Sequence, residues 1–101
     1  MKIINIIYPT PLKLCNIKND NIDVFVKLEN KKEYCVTVVT IKWIKEHMEN
    51  GFYPAGTPDI IVSELKDNFI KNAIEDYSKE DAYWLKLYSI SYGDEISIKE
   101  K

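Results

Sequence analysis

The 101-residue chain contains no arginine; all fourteen of its basic residues are lysines. Arginine is the side chain that grips phosphates and guanine edges with two parallel hydrogen bonds. Its absence, with a net charge of −2, argues against nucleic-acid binding. A nucleic-acid reading would have to use Lys13, Lys18, Lys27, Lys31 and Lys32 with exposed tyrosines, since bases stack on aromatic rings without arginine.

Other absences narrow the chemistry. The single histidine, His47, falls near the end of an expected short helix, where a cation suits the dipole. The sequence holds no G-x-S-x-G, H-E-x-x-H, D-x-D-x-D-G or cysteine–histidine pattern, so no catalytic residue is assigned and an enzyme is not expected. Cys15 and Cys35 stand twenty residues apart with no C-x-x-C, which is too few ligands for a zinc site. They read as reduced thiols acting as small apolar side chains. Neither a metal nor a cofactor is called for. No apolar run approaches the ~20 residues that span a bilayer. The opening MKIINIIYPTPLKL starts like a secretory leader, but its apolar run holds Asn5 and stops at Tyr8-Pro9, short of the roughly 7–15 residues a leader needs. It reads as a first strand of a cytoplasmic protein, a setting in which a disulfide is disfavoured.

What is present describes one soluble α+β domain over residues 1–101. Hydrophobic residues make up 46% and charged residues 30%, too apolar for disorder. A chain this long buries about two-thirds of its unfolded surface without staples. There is no internal repeat. The charge is uneven: residues 1–58 hold eight lysines and six acids, and residues 59–101 hold six lysines and ten acids.

KIINIIY is a strand ended by Pro9 and Pro11. NIKNDN is a polar turn. Ile22, Val24, Val26 and Leu28 alternate with Asp23, Phe25 and Lys27, ENKK turns the chain, and EYCVTVVT returns, which predicts a hairpin. Its second strand is apolar on both faces and therefore central. Thr40 is the expected cap of a helix over IKWIKEHMEN, with Ile41, Ile44 and Met48 on one face and Gly51 at its end.

In GFYPAGTPDIIV, connection chemistry explains most residues: a helix stop, turns at Pro54, Gly56 and Pro58, then a buried strand DIIV. The stretch lacks the phosphate-loop pattern, and its glycines precede a strand. Phe52 and Tyr53 are left over. With Trp43 they form a candidate ligand loop.

Ser63 is the expected cap of a helix over ELKDNFIKNAIEDY, in which Leu65, Phe69, Ala73 and Tyr77 step by four beside Ile70 and Ile74. SKED matches a capping box and predicts a helix through AYWLKLYSI. YGDE then turns, and ISIK is a short last strand. The order β-ββ-α-β-α-α, with that last β, predicts a small, mostly antiparallel sheet with helices packed on one face.

One stretch stands out, IEDYSKEDAYWLKLYSISY. Four acids fall within seven residues, and Tyr77, Tyr83, Trp84, Tyr88 and Tyr92 follow the same course. Tyrosine and tryptophan dominate interface hot spots, and acids around them steer a basic partner. Glu75, Asp76, Tyr77, Glu80, Asp81, Tyr83 and Trp84 are the candidate partner-binding residues. The plainer alternative is a solvated helix junction whose aromatics fill the core.

The run YCVTVVTIKWIKEHMENGFYPAGTPDIIV, with the helices after it, resembles small bacterial immunity proteins and other small α+β families of unassigned role. The likeness spans the chain in size, composition and element order, and it assigns no residue. It implies a cytoplasmic, non-enzymatic protein that neutralises a toxin by occupying or locking its active site. A basic nuclease-type toxin domain would suit the acidic–aromatic surface. From a different class, a small-molecule sensor or accessory domain would place its ligand by Trp43, Phe52 and Tyr53. An exposed edge strand would allow a homo-oligomer.

Overall fold

The computed structural model describes residues 2–54, 58–85, 87 and 89–90. The elements run β1 (Ile3–Ile7), a 3-10 turn at Leu12–Leu14, β2 (Asn21–Leu28), β3 (Glu33–Thr40), α1 (Ile41–Glu46), β4 (Ile60–Val62), α2 (Asp67–Tyr77), α3 (Asp81–Leu85) and β5 (Ser89–Ile90).

Period-two patterning builds the sheet. Ile22, Val24, Val26 and Leu28 of β2 face the core, and the register sets Ile22 beside Val38, Val24 beside Val36 and Val26 beside Tyr34. The turn closes with Lys31 N–H on Leu28 O at 2.9 Å and Leu28 N–H on Lys32 O at 3.0 Å. β3 is the centre of the sheet. β2 lies antiparallel on one side; on the other, β4 runs parallel along Val38–Thr40 and β5 antiparallel along Glu33–Tyr34. Val39 is fully buried on the face opposite Val38, as a central strand requires. β1 pairs antiparallel with β2 and forms an outer edge, with an irregularity between Ile3 and Asn5.

α2 and α3 cover the Val24–Val36 face. Ile70 and Ile74 are fully buried and Leu65, Trp84 and Leu87 nearly so, joining the strands in one cluster. Each fully buried aliphatic side chain there contributes about 1.5–3 kcal/mol. The result is the α+β architecture the element order predicts, with a five-stranded mixed sheet.

Local details depart from expectation. α1 stops at Glu46, because Asn50 and Gly51 take positive φ values of 51° and 87° and form a two-residue hairpin. Glu49 and Phe52 exchange both backbone hydrogen bonds across it. Asn-Gly is the sequence that favours such a turn, so Gly51 is a hairpin residue and no helix cap. Ile41 and Met48 are correspondingly exposed. α2 begins at Asp67, without a capping role for Ser63, because Leu65 N–H is held by Ile17 O at 2.7 Å. Ser78 ends α2 in an α-helical conformation and donates its hydroxyl to Glu75 O at 2.8 Å. An N-cap needs extended backbone, so the capping box does not form. The buried seam of α2 is Ile70 and Ile74, while Phe69 is half-buried and Tyr77 exposed. α3 ends at Leu85, and Ser89–Ile90 form β5 where continued helix was expected. Gly56, Tyr88, Tyr92, YGDE and the expected strand ISIK lie outside the described residues.

Thr40 behaves as predicted and does more. Its buried hydroxyl accepts from Trp43 N–H at 3.2 Å, capping α1. It also accepts from Asp20 N–H at 3.2 Å and donates to Asp20 O at 3.3 Å. One side chain thereby fixes the end of β3, the start of α1 and the approach to β2. Among the described residues no helix is long and apolar enough to cross a membrane.

Candidate functional site

The junction of α2 and α3 gathers most of the acidic–aromatic residues. Glu75 and Asp76 occupy the last turn of α2, which carries no basic residue. Carboxylates at a helix C-terminus face the negative end of the macrodipole, at a cost of about 0.3–1 kcal/mol each. Lys79 returns part of this by reaching Asp76 Oδ1 at 3.1 Å. Glu75 and Glu80 have no ion pair among the described residues. Asp81 opens α3, where a negative charge suits the dipole.

Aromatic rings run from this rim into the core. Tyr77, 36% exposed, meets Tyr83 edge-on with centroids 5.5 Å apart. Tyr83 meets Trp84 at 5.2 Å, and Trp84 meets Tyr34 of β3 at 5.2 Å. Such pairs add about 0.5–1.5 kcal/mol each beyond the area they bury. Burial first, then the charges of Tyr77 and Asp59, pushes the Tyr83 phenol well above its ordinary range, so it stays neutral. Its hydroxyl approaches Pro58 O at 3.4 Å.

Six of the seven candidate partner-binding residues are thus at or near the surface. Trp84 is not: it is 4% exposed and packed on Tyr34, so it supports the site from beneath and offers no contact surface. Its indole N–H has no partner among the described residues.

The candidate ligand loop does not close around a cavity among the described residues. Trp43 stacks on His47 with centroids 3.7 Å apart, and His47 Nδ1 lies 2.9 Å from Trp43 O. Phe52 projects from the Asn50–Gly51 hairpin at 56% exposure, and Tyr53 is half-buried. Three hollows of the described residues have other walls. One of about 370 Å³ lies by Thr10, Cys15, Asp20 and Asp23. A second of about 270 Å³ runs between β1 and Lys71 and Glu75 of α2. A third of about 420 Å³ is lined by Lys18, Ile41, Lys42, Lys45, Ser63 and Glu64.

That third hollow escaped the sequence reading. The signal was Lys42 and Lys45 three apart on one helix face. Lys18 joins them only through the folding of the 16–20 turn against α1, held by Asn19 Nδ2 on Glu46 Oε1 at 3.0 Å. The lysines of the nucleic-acid reading do not converge. Lys18 precedes β2 and Lys31 and Lys32 follow it, which separates them by about 25 Å along an eight-residue strand. Among the described residues no group of three histidine, cysteine or carboxylate side chains is placed to hold a metal ion. No protein-family model, curated protein sequence or solved structure matches this chain.

Proposed function

We propose that this chain is a protein-binding module whose contact surface is the α2–α3 junction, with Tyr77 at its centre and Glu75, Asp76, Glu80 and Asp81 around it. The observation that carries the reading is the placement of Glu75 and Asp76 in the last turn of α2, against the helix dipole and beside an exposed aromatic ring. Acids there cost folding an amount that Lys79 offsets only in part. A basic partner would gain both steering and a rigid aromatic anchor.

In its most concrete form the module is an immunity-type protein that covers the active site of a basic toxin domain in the cytoplasm. Two unpaired cysteines suit a reducing compartment. The decisive experiment is capture from the source cell with the wild-type chain beside a Glu75→Lys/Asp76→Lys/Glu80→Lys/Asp81→Lys variant. The expected result is a basic protein retained in a 1:1 complex by the wild type and lost by the variant. Equal retention by both, or by neither, would reduce the junction to a solvated corner.

A further inference from the structure

The hollow of about 420 Å³ lies where β3 and β4, the parallel pair, deliver their carboxyl ends. β3 ends at Thr40, directly before Ile41 and Lys42, and β4 ends at Val62, directly before Ser63 and Glu64. The crevice beyond the carboxyl ends of parallel strands is where open α/β sheets take ligands, because the connections diverge there.

Three of its six lining residues are lysines and one, Glu64, is a carboxylate. Lys18, Lys42 and Lys45 have no ion pair among the described residues. The lysines around α2 differ: Lys66, Lys71 and Lys79 are paired with Glu64, Asp67 and Asp76 at 3.0–3.2 Å. Two acids close by have polar partners of their own. Glu64 is held by Lys66, and Glu46, one turn from Lys42, accepts from Asn19. Lys42 and Lys45 are like charges three apart on one helix face, an arrangement that costs stability until a counter-charge arrives. Ser63 adds a hydroxyl and Ile41, 47% exposed, an apolar wall.

We propose that this hollow binds a small anion carrying several negative charges, for which pyrophosphate is the probe. Lysine acts on phosphate as a point charge without bidentate geometry. Three ammonium groups therefore select by charge number, with pyrophosphate ahead of orthophosphate. The site is separate from the α2–α3 junction, so it stands or falls independently of the partner-binding reading.

The test is calorimetric titration of the full chain at low salt with sodium pyrophosphate, sodium phosphate and sodium citrate. The wild type should bind pyrophosphate saturably at 1:1 and orthophosphate more weakly. Lys42→Gln/Lys45→Gln should weaken pyrophosphate binding by about tenfold or more, and Ser63→Ala by about threefold. Lys31→Gln/Lys32→Gln makes the same charge change in the distant β2–β3 turn and should leave binding unaltered. All these side chains are exposed, and far-UV circular dichroism verifies that the fold is kept. The proposal is overturned if the wild type shows no saturable binding, or if both lysine pairs lose it equally. Orthophosphate binding as tightly as pyrophosphate, or citrate of like charge failing to bind, would overturn selection by charge number. A single-stranded oligonucleotide, titrated in the same way, that binds more tightly than pyrophosphate would overturn a small-ligand site in favour of a polymer-binding surface.

Discussion

The Tyr8 hydroxyl donates to Asp67 Oδ1 at 2.7 Å, fastening the end of β1 to the first residue of α2. The contact joins positions 59 apart in sequence and places a phenol against a carboxylate that Lys71 also holds, at 3.2 Å. Burial first, then the hydrogen bond to Asp67 and its charge, raises the Tyr8 phenol above its ordinary 10.0, while the Tyr8 hydrogen bond and Lys71 draw Asp67 below 3.8.

The signs give opposite pH windows. The depressed Asp67 contributes stability above its ordinary value and loses it as pH falls through the lowered one. The raised Tyr8 contributes fully below 10 and loses it as pH climbs further. Asp67→Asn should therefore cost about 1 kcal/mol at pH 7, where one exposed charged hydrogen bond and a surface ion pair are lost. The gap to wild type should close below pH 4. Tyr8→Phe should flatten the fall of stability above pH 10. Urea melts across pH 3–11 check both.

The aromatic chain separates a core residue from a surface one. Trp84→Ala should cost about 3–5 kcal/mol, since the indole is 4% exposed and packed on Tyr34. Tyr77→Ala should cost no more than about 1.5 kcal/mol, the loss of one edge contact and part of a ring. Comparable losses for the two would place Tyr77 in the core and remove it as a contact residue.

Lys31 holds φ at 68° in the turn between β2 and β3. A side chain with a Cβ is strained by about 1–2 kcal/mol in that region, and glycine is not. Glycine also enlarges the unfolded ensemble, so Lys31→Gly should stabilise by a net amount of about 0.5–1 kcal/mol. Thermal and denaturant melts read this directly, and a lowered midpoint would refute it.

Both thiols should react slowly. Burial, then the neighbouring carboxylates of Asp20 and Asp23, raises the Cys15 and Cys35 thiols above the ordinary 9.0. Less thiolate exists at pH 8 than in a free thiol, so iodoacetamide should label the folded chain more slowly than glutathione. Unfolding in urea should restore the ordinary rate. Mass spectrometry over time distinguishes the two.

Asn5 guards the edge of β1. Its Oδ1 accepts from Ile6 N–H at 2.9 Å, occupying a strand donor with the chain's own side chain. Side chains that consume edge groups resist pairing with another sheet. Asn5→Val should shift the chain toward a dimer, read as mass by light scattering at rising concentration. An unchanged mass would show that the side chain guards nothing.

The β2–β3 hairpin was legible because two β-rich runs flank four polar residues, a signal carried within twenty residues. The boundaries of α1 and α2 were not. Asn50-Gly51 can close a helix or open a hairpin, and only the exchange of hydrogen bonds between Glu49 and Phe52 decides. Ser78 carried a capping-box pattern, yet the same hydroxyl can satisfy the carbonyl of Glu75, and the α-helical backbone at Ser78 selects that use. The acids of the α2–α3 junction were visible as a cluster in sequence. The lysines of the 420 Å³ hollow were not, because Lys18 and Ser63 come to α1 from distant segments.

The divided far side of β3 has a consequence for growth in number. β4 offers three residues and β5 two, running in opposite directions, so among the described residues that side presents no continuous template. The five-residue β1 is the longest outer strand among the described residues. A sheet extendable on one side alone reaches completion when two copies meet about a two-fold axis, with no end left to recruit a third. Loss of the Asn5 guard should therefore yield a closed pair and stop short of a filament.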